Sequence, residues 1–283
     1  MQNTFRIISL SVLLIIVAGC GTNKHSSNQK TTIYNDNAYM LKIKTDTLFN
    51  SQQRICLLAF HKNSLNQYTI DIAYNEVDLE KTSQMASNSN AFAAINGGFF
   101  NMDAGGSVTY FEINDSVIGK TRDPKLKWGV SDRIINGAIV FTKENKLKIE
   151  SANTETFYAK SKKESFVLFT GPLLISNSKL QSLPDMGFAN KRHPRTCLGI
   201  TKDSIIFVTI DGRSKQASGM SLYQAQEYLL GLGCIDAINL DGGGSTTMWI
   251  KNKGLVNIPS DKNGERPVAN ALLILESHTQ DRN

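Results

Sequence analysis

Short apolar and alternating runs dominate the hydrophobic pattern of the chain, and such runs are typical of β-strands. RICLLAF and YTIDIAY, separated by the turn-like HKNSLNQ, predict two strands between Tyr39 and Asp78. SVTYFEINDSVIG and GAIVFTKENKLKIE each predict a hairpin, with turns at Asn114–Asp115 and Glu144–Asn145. SFVLFTGPLLISN predicts a strand region that Gly171–Pro172 interrupts. The first part of the chain is therefore expected to be mainly β-structure.

The last third of the chain carries the clearest pattern. RTCLGITKDSIIFVTIDGR predicts two strands joined by a turn, and CIDAINL and ANALLILE predict two more. SGMSLYQAQEYLLGLG predicts a helix, because Ser221 and Gln224 form a capping-box pair and glycines end the segment. The apolar face of that helix consists of Leu222, Ala225, Leu229 and Leu232.

Two segments have a less regular pattern. EVDLEKTSQMASNSN predicts a short helix, whereas SLPDMGFANKRHP has turn-forming residues without periodicity and predicts a loop. Neither a solenoid-type repeat nor a linker divides the chain after residue 38. We therefore expect an α+β fold in one domain over residues 39–283, with a mixed, largely antiparallel twisted β-sheet packed with a few helices.

The N-terminus has the pattern of an export signal. Arg6 precedes the apolar run IISLSVLLIIVAG, which suits a signal-peptide core better than a transmembrane helix. The run ends in Val17-Ala18-Gly19-Cys20, which resembles a bacterial lipobox. This predicts a signal peptide over residues 1–19, lipidation at Cys20 and a flexible tether over residues 20–38. The alternative is an ordinary secretory signal with a chance cysteine. We expect a lipid-anchored protein of the bacterial cell envelope that faces the periplasm, with the membrane as a partner.

Composition and charge narrow the class of partner. Apolar residues make up 41% of the 283-residue chain, enough for a packed core, and the formal net charge of +6 favours anionic partners. No dense Lys/Arg run interleaved with aromatic residues appears, so nucleic acid is not an expected partner. Apart from Cys20, the cysteines are Cys56, Cys197 and Cys234, without CxxC spacing, so a zinc site is not supported. A Cys197–Cys234 disulfide stays open.

Three predicted strands end in a polar residue followed by glycine. The three segments are Asn96-Gly97-Gly98, Asp211-Gly212-Arg213 and Asp241-Gly242-Gly243-Gly244-Ser245. Glycine allows a ligand to approach the main chain, and free N–H groups in such turns bind anions. The fourth feature, KRHPRT, places Lys191, Arg192, His193 and Arg195 just before a strand. A single Asp-Gly is usually a hairpin turn, but the recurrence beside an arginine-rich loop indicates a site for a phosphorylated substrate.

Other common site motifs are absent from the sequence. A phosphate-binding P-loop requires GxxxxGK[ST], and no lysine follows Gly244 at that spacing. Ser245 lacks the second glycine of a GxSxG nucleophile elbow, and the metalloprotease motif HExxH and the dinucleotide-binding motif GxGxxG do not occur.

Five motifs in a fixed order resemble the phosphodiester glycosidase family. They are NGGFF at 96–100, HPRT at 193–196, DGR at 211–213, AINLDGGGSTTM at 237–248 and RPVANALLI at 266–274. The resemblance covers roughly Ala91 to Leu275. It implies hydrolysis of a sugar-1-phosphodiester, which frees the sugar and leaves a phosphomonoester.

We infer roles for the matching residues from their chemistry. Asp241 is the first choice for a catalytic carboxylate and Asp211 the second, because glycosidic cleavage commonly uses two carboxylates. Arg195 and Arg213 are expected to hold the diester phosphate. The other expected substrate-binding residues are Asn96, Gly97, Gly98, His193, Thr196, Gly242, Gly243, Ser245 and Thr246.

Three alternatives stay open. Glu227 is a further catalytic candidate, because it matches a glutamate in the family's corresponding helix, but it points away from the apolar face of the predicted helix, as a solvated residue would. No cofactor is expected with assurance, although Asp211 and Asp241 could share a divalent cation. The chain could also be a lipid-anchored protein that binds a phosphorylated envelope glycan without cleaving it.

Overall fold

The structure, a computed structural model, describes residues 29–36, 38–65, 67–75 and 77–277. In this part of the chain, antiparallel strands form three large sheets and one two-stranded sheet, accompanied by four α-helices. The strands are β1 Lys30–Asn35, β2 Tyr39–Leu48, β3 Ser51–His61, β4 Tyr68–Tyr74, β5 Glu80–Lys81, β6 Ala93–Asn96, β7 Phe111–Ile113, β8 Ser116–Gly119, β9 Gly137–Thr142, β10 Leu147–Ser151, β11 Glu164–Thr170, β12 Leu173–Ser176, β13 Lys179–Leu180, β14 Arg195–Ile200, β15 Ser204–Ile210, β16 Asp236–Asn239, β17 Met248–Ile250, β18 Gly254–Leu255, β19 Pro267–Val268 and β20 Asn270–Glu276. The predicted α+β, largely antiparallel single-domain fold is confirmed.

The three large sheets enclose a common apolar core. The eight-stranded sheet has the order β1-β2-β3-β15-β14-β16-β12-β13, and the five-stranded sheets have the orders β10-β9-β11-β7-β8 and β18-β17-β6-β20-β4. Side chains from all three sheets meet in one buried cluster, represented by Phe207, Phe166 and Ile95. Strand alternation explains this packing, because every second side chain of each strand faces the shared interior.

The longer helices cover the outer faces of the sheets. The helices are α1 Thr82–Asn88, α2 Glu155–Ser161, α3 Gly187–Asn190 and α4 Leu222–Gly231. α4 buries Leu222, Ala225 and Leu229 on the eight-stranded sheet. α2 packs on β11, and α1 packs on β6 and β20. Each sheet therefore has a second buried face, which explains why its strands read as apolar runs rather than alternating ones.

The predicted turns and the predicted long helix are confirmed in detail. Asn114 and Asp115 have positive φ between β7 and β8, as a tight two-residue hairpin requires. The Ser221 hydroxyl accepts from the Gln224 N–H, and the Gln224 side chain accepts from the Ser221 N–H, which completes the capping box of α4.

Three local features differ from the sequence-based expectation. The segment predicted as a loop before KRHPRT contains the one-turn helix α3, and α2 was not predicted. Within the predicted tether, residues 30–35 form β1, which pairs with β2 through the main chain. β1 is largely exposed on both faces, so it has no hydrophobic pattern that would reveal it. The predicted signal peptide and Cys20 lie outside the described residues.

The described part of the chain gives two plain findings on cysteines and membranes. Cys56, Cys197 and Cys234 are buried free thiols, and no disulfide joins them. Burial raises the pKa of each of these thiols to about 12, which keeps them protonated. None of the described helices has the length and apolarity needed to cross a membrane.

Candidate active site

The predicted motifs converge at one end of the eight-stranded sheet. Because β14 runs antiparallel to β15 and β16, its first residue Arg195 pairs with Ile210 at the end of β15. Cys197 of the same strand pairs with Asn239 at the end of β16. The DGR and DGGGST segments therefore leave their strands beside HPRT, and hydrogen bonds bring the NGG segment to them from the neighbouring sheet.

Asn96 joins three of the motifs. Its amide nitrogen donates to the main-chain oxygen of Asp241 at 2.7 Å. Its amide oxygen accepts from the Thr196 hydroxyl at 2.7 Å and from the Thr247 N–H at 3.0 Å. The side chain is fully buried, so both ends of the amide are used within the protein. This geometry favours a role for Asn96 and Thr196 in positioning the Asp241 loop.

Of the two glycines after Asn96, Gly97 is the one that allows close contact with β20. A Cβ on Gly97 would lie 2.0 Å from Oδ1 of Asn270, a distance that no side chain tolerates. The N–H of Gly98 donates to the same oxygen at 2.8 Å, and the Gly97 carbonyl accepts from the Asp241 N–H at 3.1 Å. The NGG segment thus links the Asp241 loop to β20.

The glycine run after Asp241 is compressed between neighbouring groups. A Cβ on Gly242 would lie 2.8 Å from the Pro194 carbonyl oxygen, and Gly243 has a φ of +62°. A Cβ on Gly243 would lie 2.9 Å from Nη2 of Arg213, and one on Gly244 would lie 2.2 Å from Nη2 of Arg266. Glycine at these positions therefore lets two arginines approach the main chain of the loop.

Asp241 is the most chemically perturbed acid of the site. Burial raises the pKa of its carboxyl group to about 6, although the Ser245 hydroxyl, Arg266, the Gly242 N–H and Arg213 act in the opposite direction. The Gly242 N–H donates to its Oδ1 at 2.9 Å. A carboxyl group that titrates near neutral pH beside two guanidinium groups is suited to proton transfer at an anionic substrate.

Asp211 lies in a different environment. One carboxylate oxygen accepts from Arg54 at 2.6 Å and from the Ile258 N–H at 3.1 Å, and the other accepts from the Asn257 amide at 3.2 Å. Burial raises the pKa of Asp211, and the Arg54 guanidinium opposes that shift. The carboxylate is only 3% exposed. Its contacts favour a role in holding Arg54 and the segment around Asn257.

Arg195 is a buried cation held by main-chain carbonyls. Its guanidinium donates to the carbonyl oxygens of Met220, Phe188 and Lys191 at 2.8–2.9 Å. The side chain is 1% exposed, and burial lowers its pKa to about 10, so it stays charged at neutral pH. Within the described residues it forms no ion pair with a carboxylate.

Arg213 and His193 stand at the edge of the same site. Arg213 is exposed, has a φ of +61°, and forms no ion pair in the described part of the chain. Burial lowers the pKa of His193, and the cations Arg195, Arg213 and Lys191 lower it further. The imidazole is therefore neutral at neutral pH and suited to accept a hydrogen bond or a proton.

Arg266 and Asp261 belong to the site but were not among the expected residues. The two side chains form a two-point ion pair, with distances of 2.6 and 2.9 Å. Arg266 also donates to the Ser245 hydroxyl at 3.4 Å. The signal for Arg266 was present, because it opens the RPVANALLI motif. Asp261 lies in an irregular segment with no motif, so only the fold reveals it.

The remaining expected residues are distributed as follows. Ser245 and Thr246 are buried in the loop, and the Thr246 hydroxyl has no hydrogen-bond partner among the described residues. Glu227 is exposed on α4, on the side opposite to the buried Leu222, Ala225 and Leu229. That face is directed to solvent, and no hydrogen bond links Glu227 to the described part of the site.

The acids of the site offer few free groups for binding a metal ion. No group of three or more His, Cys, Asp or Glu side chains with metal-binding geometry occurs in the described residues. Both Asp211 oxygens already accept hydrogen bonds from Arg54, Asn257 and Ile258. A cation shared with Asp241 would compete with these donors.

Comparison with known proteins gives distant but consistent relatives. A SPbeta prophage-derived uncharacterized protein, YomE, of Bacillus subtilis is 28% identical over 207 residues, which is 71% of this chain and 30% of that protein. Human N-acetylglucosamine-1-phosphodiester alpha-N-acetylglucosaminidase is 27% identical over 200 residues, 67% of this chain and 37% of that protein. The aligned regions span about a third of each of these two curated relatives.

Solved structures share the fold. The catalytic domain of zebrafish N-acetylglucosamine-1-phosphodiester alpha-N-acetylglucosaminidase matches with a TM-score of 0.67 and 18% identity, over 90% of this chain and 86% of that one. A hypothetical protein from Synechocystis matches with a TM-score of 0.66 and 14% identity, over 88% of this chain and 64% of that one. The phosphodiester glycosidase family model matches residues 89–275, which contain every motif of the site. With more than half of its length matched, the chain belongs to the phosphodiester glycosidase family.

Proposed function

We propose that the protein hydrolyses the glycosidic bond of a sugar-1-phosphodiester. The bond between C1 of the sugar and the phosphate oxygen breaks, and water supplies the new hydroxyl at C1 and a proton to the released phosphomonoester. The observation that carries the proposal is that Asp241, whose carboxyl pKa is raised to about 6, lies near Arg195 and Arg213, which form no ion pair within the described residues. The family and the N-acetylglucosamine-1-phosphodiester specificity in the names of its relatives support the same reaction.

The charge balance around the site calls for an anion. Two of its arginines are neutralised within the protein, Arg54 by Asp211 and Arg266 by Asp261. Arg195 and Arg213 have no such partner in the described residues. Arg195 is buried without a counter-ion, which is costly, and Arg213 is exposed to a ligand, so a phosphate between them gains charged hydrogen-bonding partners. We assign the diester phosphate to the region between these two arginines and the glycine loop.

The phosphomonoester leaving group determines which role Asp241 must have in the reaction. A phosphomonoester is a stable anion, so its departure needs less help from an acid than an ordinary alcohol does. The more demanding tasks are to stabilise the positive charge that develops on the sugar and to activate water. An ionised Asp241 performs both, whereas the hydrogen-bonded Asp211 shapes the surrounding loops.

A screen of sugar-1-phosphodiesters tests the reaction. N-acetylglucosamine, glucose and mannose 1-(methyl phosphate) are incubated with the protein in ¹⁸O-water, with and without chelator, and free sugar is measured. The expected result is free sugar that carries ¹⁸O and unlabelled methyl phosphate. Label in the phosphate would show that the P–O bond is cut, which contradicts the proposal. Tight binding of a diester in calorimetry without release would instead establish the non-catalytic binder.

The pH dependence follows from the raised pKa of Asp241. If ionised Asp241 is required, kcat/KM should be constant above pH 7 and fall about tenfold per unit below about pH 6. Arg213→Ala removes a cation that lowers this pKa, so the acidic limb should move to higher pH. Lys215→Ala is the control, because Lys215 is an exposed neighbour that does not act on Asp241. An unchanged limb in Arg213→Ala would contradict the assignment.

We further propose that the enzyme acts at the bacterial cell envelope on phosphodiester-linked glycans, held by a lipid on Cys20. The support is the lipobox-like sequence before Cys20. Metabolic labelling of a bacterial host with an alkyne fatty acid should mark the wild-type chain and not Cys20→Ser. Labelling of both chains would exclude this anchor.

A further inference from the structure

A groove of about 230 Å³ adjoins the candidate active site on the side of Arg213. Its walls combine the apolar side chains of Ala217, Ile258 and Pro259 with the polar side chains of Ser214, Gln216 and Ser260. Ile258 is 59% exposed, so its side chain is open to contact with a ligand. The roles described so far use Arg54, Asp211 and Arg213 of its lining, but none of these six side chains.

Two residues connect the groove directly to the Asp241 loop. Arg213 lines the groove, and its guanidinium also lies against Gly243, 2.9 Å from the position a Cβ would take. Ser260 lines the groove as well, and its hydroxyl donates to the Gly243 carbonyl at 3.3 Å. A phosphate bound at Arg213 would therefore be within reach of the groove.

The charged residues of the lining show which part of the groove could hold a phosphate and which part could not. Arg54 also lines the groove, but Asp211 neutralises it at 2.6 Å. Arg213 is the cation of the lining that has no ion pair within the described residues. Apart from Arg213 and the paired Arg54 and Asp211, the lining has hydroxyl, amide and apolar groups, so it offers no second unpaired cation to a phosphate. Such a mixed lining suits a molecule with both hydroxyl groups and C–H faces.

We propose that this groove is the subsite for the aglycone, the alcohol on the far side of the phosphate. It is shaped for a compact polyol, one sugar or glycerol unit, whose hydroxyls meet Ser214, Gln216 and Ser260. The volume lies below the range of roughly 300–1,000 Å³ that is usual for drug-sized ligands, which disfavours a long lipid chain. The inference rests on the proposed function, because it takes the phosphate to be held at Arg213.

Binding of phosphomonoesters tests the subsite without requiring turnover. Calorimetry compares glucose 6-phosphate with methyl phosphate, which carries the same charged group without the polyol. We expect glucose 6-phosphate to bind at least about tenfold more tightly to the wild-type protein. Gln216→Trp should abolish this advantage, because the indole fills the groove, and methyl phosphate should bind as before. Lys215→Trp is the matched control, since Lys215 is exposed in the same loop and does not line the groove.

A second groove variant and a third probe complete the test. Ser214→Trp should behave as Gln216→Trp does, which guards against a new stacking contact made by one indole. Equal affinities for the two phosphates in the wild type would overturn the inference, as would an advantage that survives in both groove variants. Octyl phosphate binding more tightly than glucose 6-phosphate would overturn the polyol class.

The same variants separate this inference from the proposed reaction. With N-acetylglucosamine 1-phosphodiesters, Gln216→Trp should raise KM for the glucos-6-yl diester about tenfold and leave the methyl diester within about twofold. If no diester releases sugar while the difference in phosphomonoester affinity persists, the reaction fails and the subsite stands. If sugar is released with no dependence on Gln216 or Ser214, the subsite fails and the reaction stands.

Discussion

Replacement of Asp241 by asparagine is expected to lower kcat for sugar release by about 10²- to 10⁴-fold, the usual contribution of a positioned acid or base. Asparagine keeps the shape of the side chain and can still accept from the Gly242 N–H, but it can neither ionise nor take a proton. The loss should therefore appear in kcat, with KM changed much less. Steady-state kinetics on the diester identified by the screen measures both.

The control for Asp241→Asn lies on β16, the strand that leads to Asp241. Asp236 begins β16 at the opposite end from Asp241, where it accepts from the Asn177 N–H. Asp236→Asn should leave kcat within about twofold, since it makes the same chemical change away from the site. Asp241→Ala is a useful second variant, because an asparagine before Gly242 can deamidate back to aspartate. Full activity in freshly prepared Asp241→Asn and in Asp241→Ala would refute a catalytic role.

Asp241→Asn should also stabilise the folded protein at neutral pH. Burial raises the pKa of Asp241 from 3.8 to about 6, so the folded state holds the proton more tightly than the unfolded chain. Between about pH 4 and pH 6 the unfolded chain ionises first, and the stability contributed by this group falls as pH rises. Asparagine does not titrate, so Asp241→Asn should gain about 1–3 kcal/mol at pH 7. Urea unfolding at pH 4 and pH 7 tests whether the gain appears only at the higher pH.

Arg195→Met should have the second large effect, a loss of about 2–4 kcal/mol in the free energy of unfolding. The substitution removes a cation from an almost dry site, which by itself is favourable. It also leaves the carbonyls of Phe188 and Lys191 without their donor, and the Met220 carbonyl keeps only the His193 N–H; unsatisfied buried acceptors cost more. Urea denaturation at pH 7 measures the difference.

A neighbouring arginine provides the control for Arg195. Arg192 donates to the carbonyls of Phe49 and Gly219 and to the Ser51 hydroxyl, but it is only partly buried. Arg192→Met should lose about 1 kcal/mol and keep its activity.

The proposed role of Arg195 in holding phosphate is tested by a separate measurement, thermal unfolding with a phosphate ligand. Methyl phosphate should raise the unfolding temperature of the wild type and of Arg192→Met, but not that of Arg195→Met. Equal protection of all three proteins would leave Arg195 with a structural role only.

Local sequence rules predicted most of the secondary structure because they concern short-range interactions. The hairpin at Asn114–Asp115 follows from residues that tolerate positive φ, and α4 follows from its capping box and apolar stripe. The same rules missed β1, whose exposed side chains carry no pattern, and α2, which Tyr158 anchors to β11 and its neighbours. These elements depend on partners that are remote in the chain.

For the candidate site, too, the sequence indicated some features and only the structure showed the others. The five ordered motifs in the sequence were sufficient to indicate the family, and they placed an acid or an asparagine before each glycine turn. The sequence analysis ranked Asp241 ahead of Asp211, but the motifs give no physical ground for that order, since both acids occur as Asp-Gly at a strand end. The physical ground comes from Arg54, which lies 157 residues away from Asp211 and pairs with it. Asp241 instead lies among the glycines with one main-chain donor on its carboxylate.

By itself, the sequence of this protein determined the family, the α+β class and the motifs that meet at the candidate site. Only the tertiary structure decided that Arg195 is buried on main-chain carbonyls, that Arg266 and Asp261 belong to the site, and that Glu227 faces solvent. The physical reason is that burial, ion pairing and pKa depend on contacts between strands far apart in the chain. A short motif specifies the chemistry of a side chain, but the folded neighbours specify its charge and its access to a ligand.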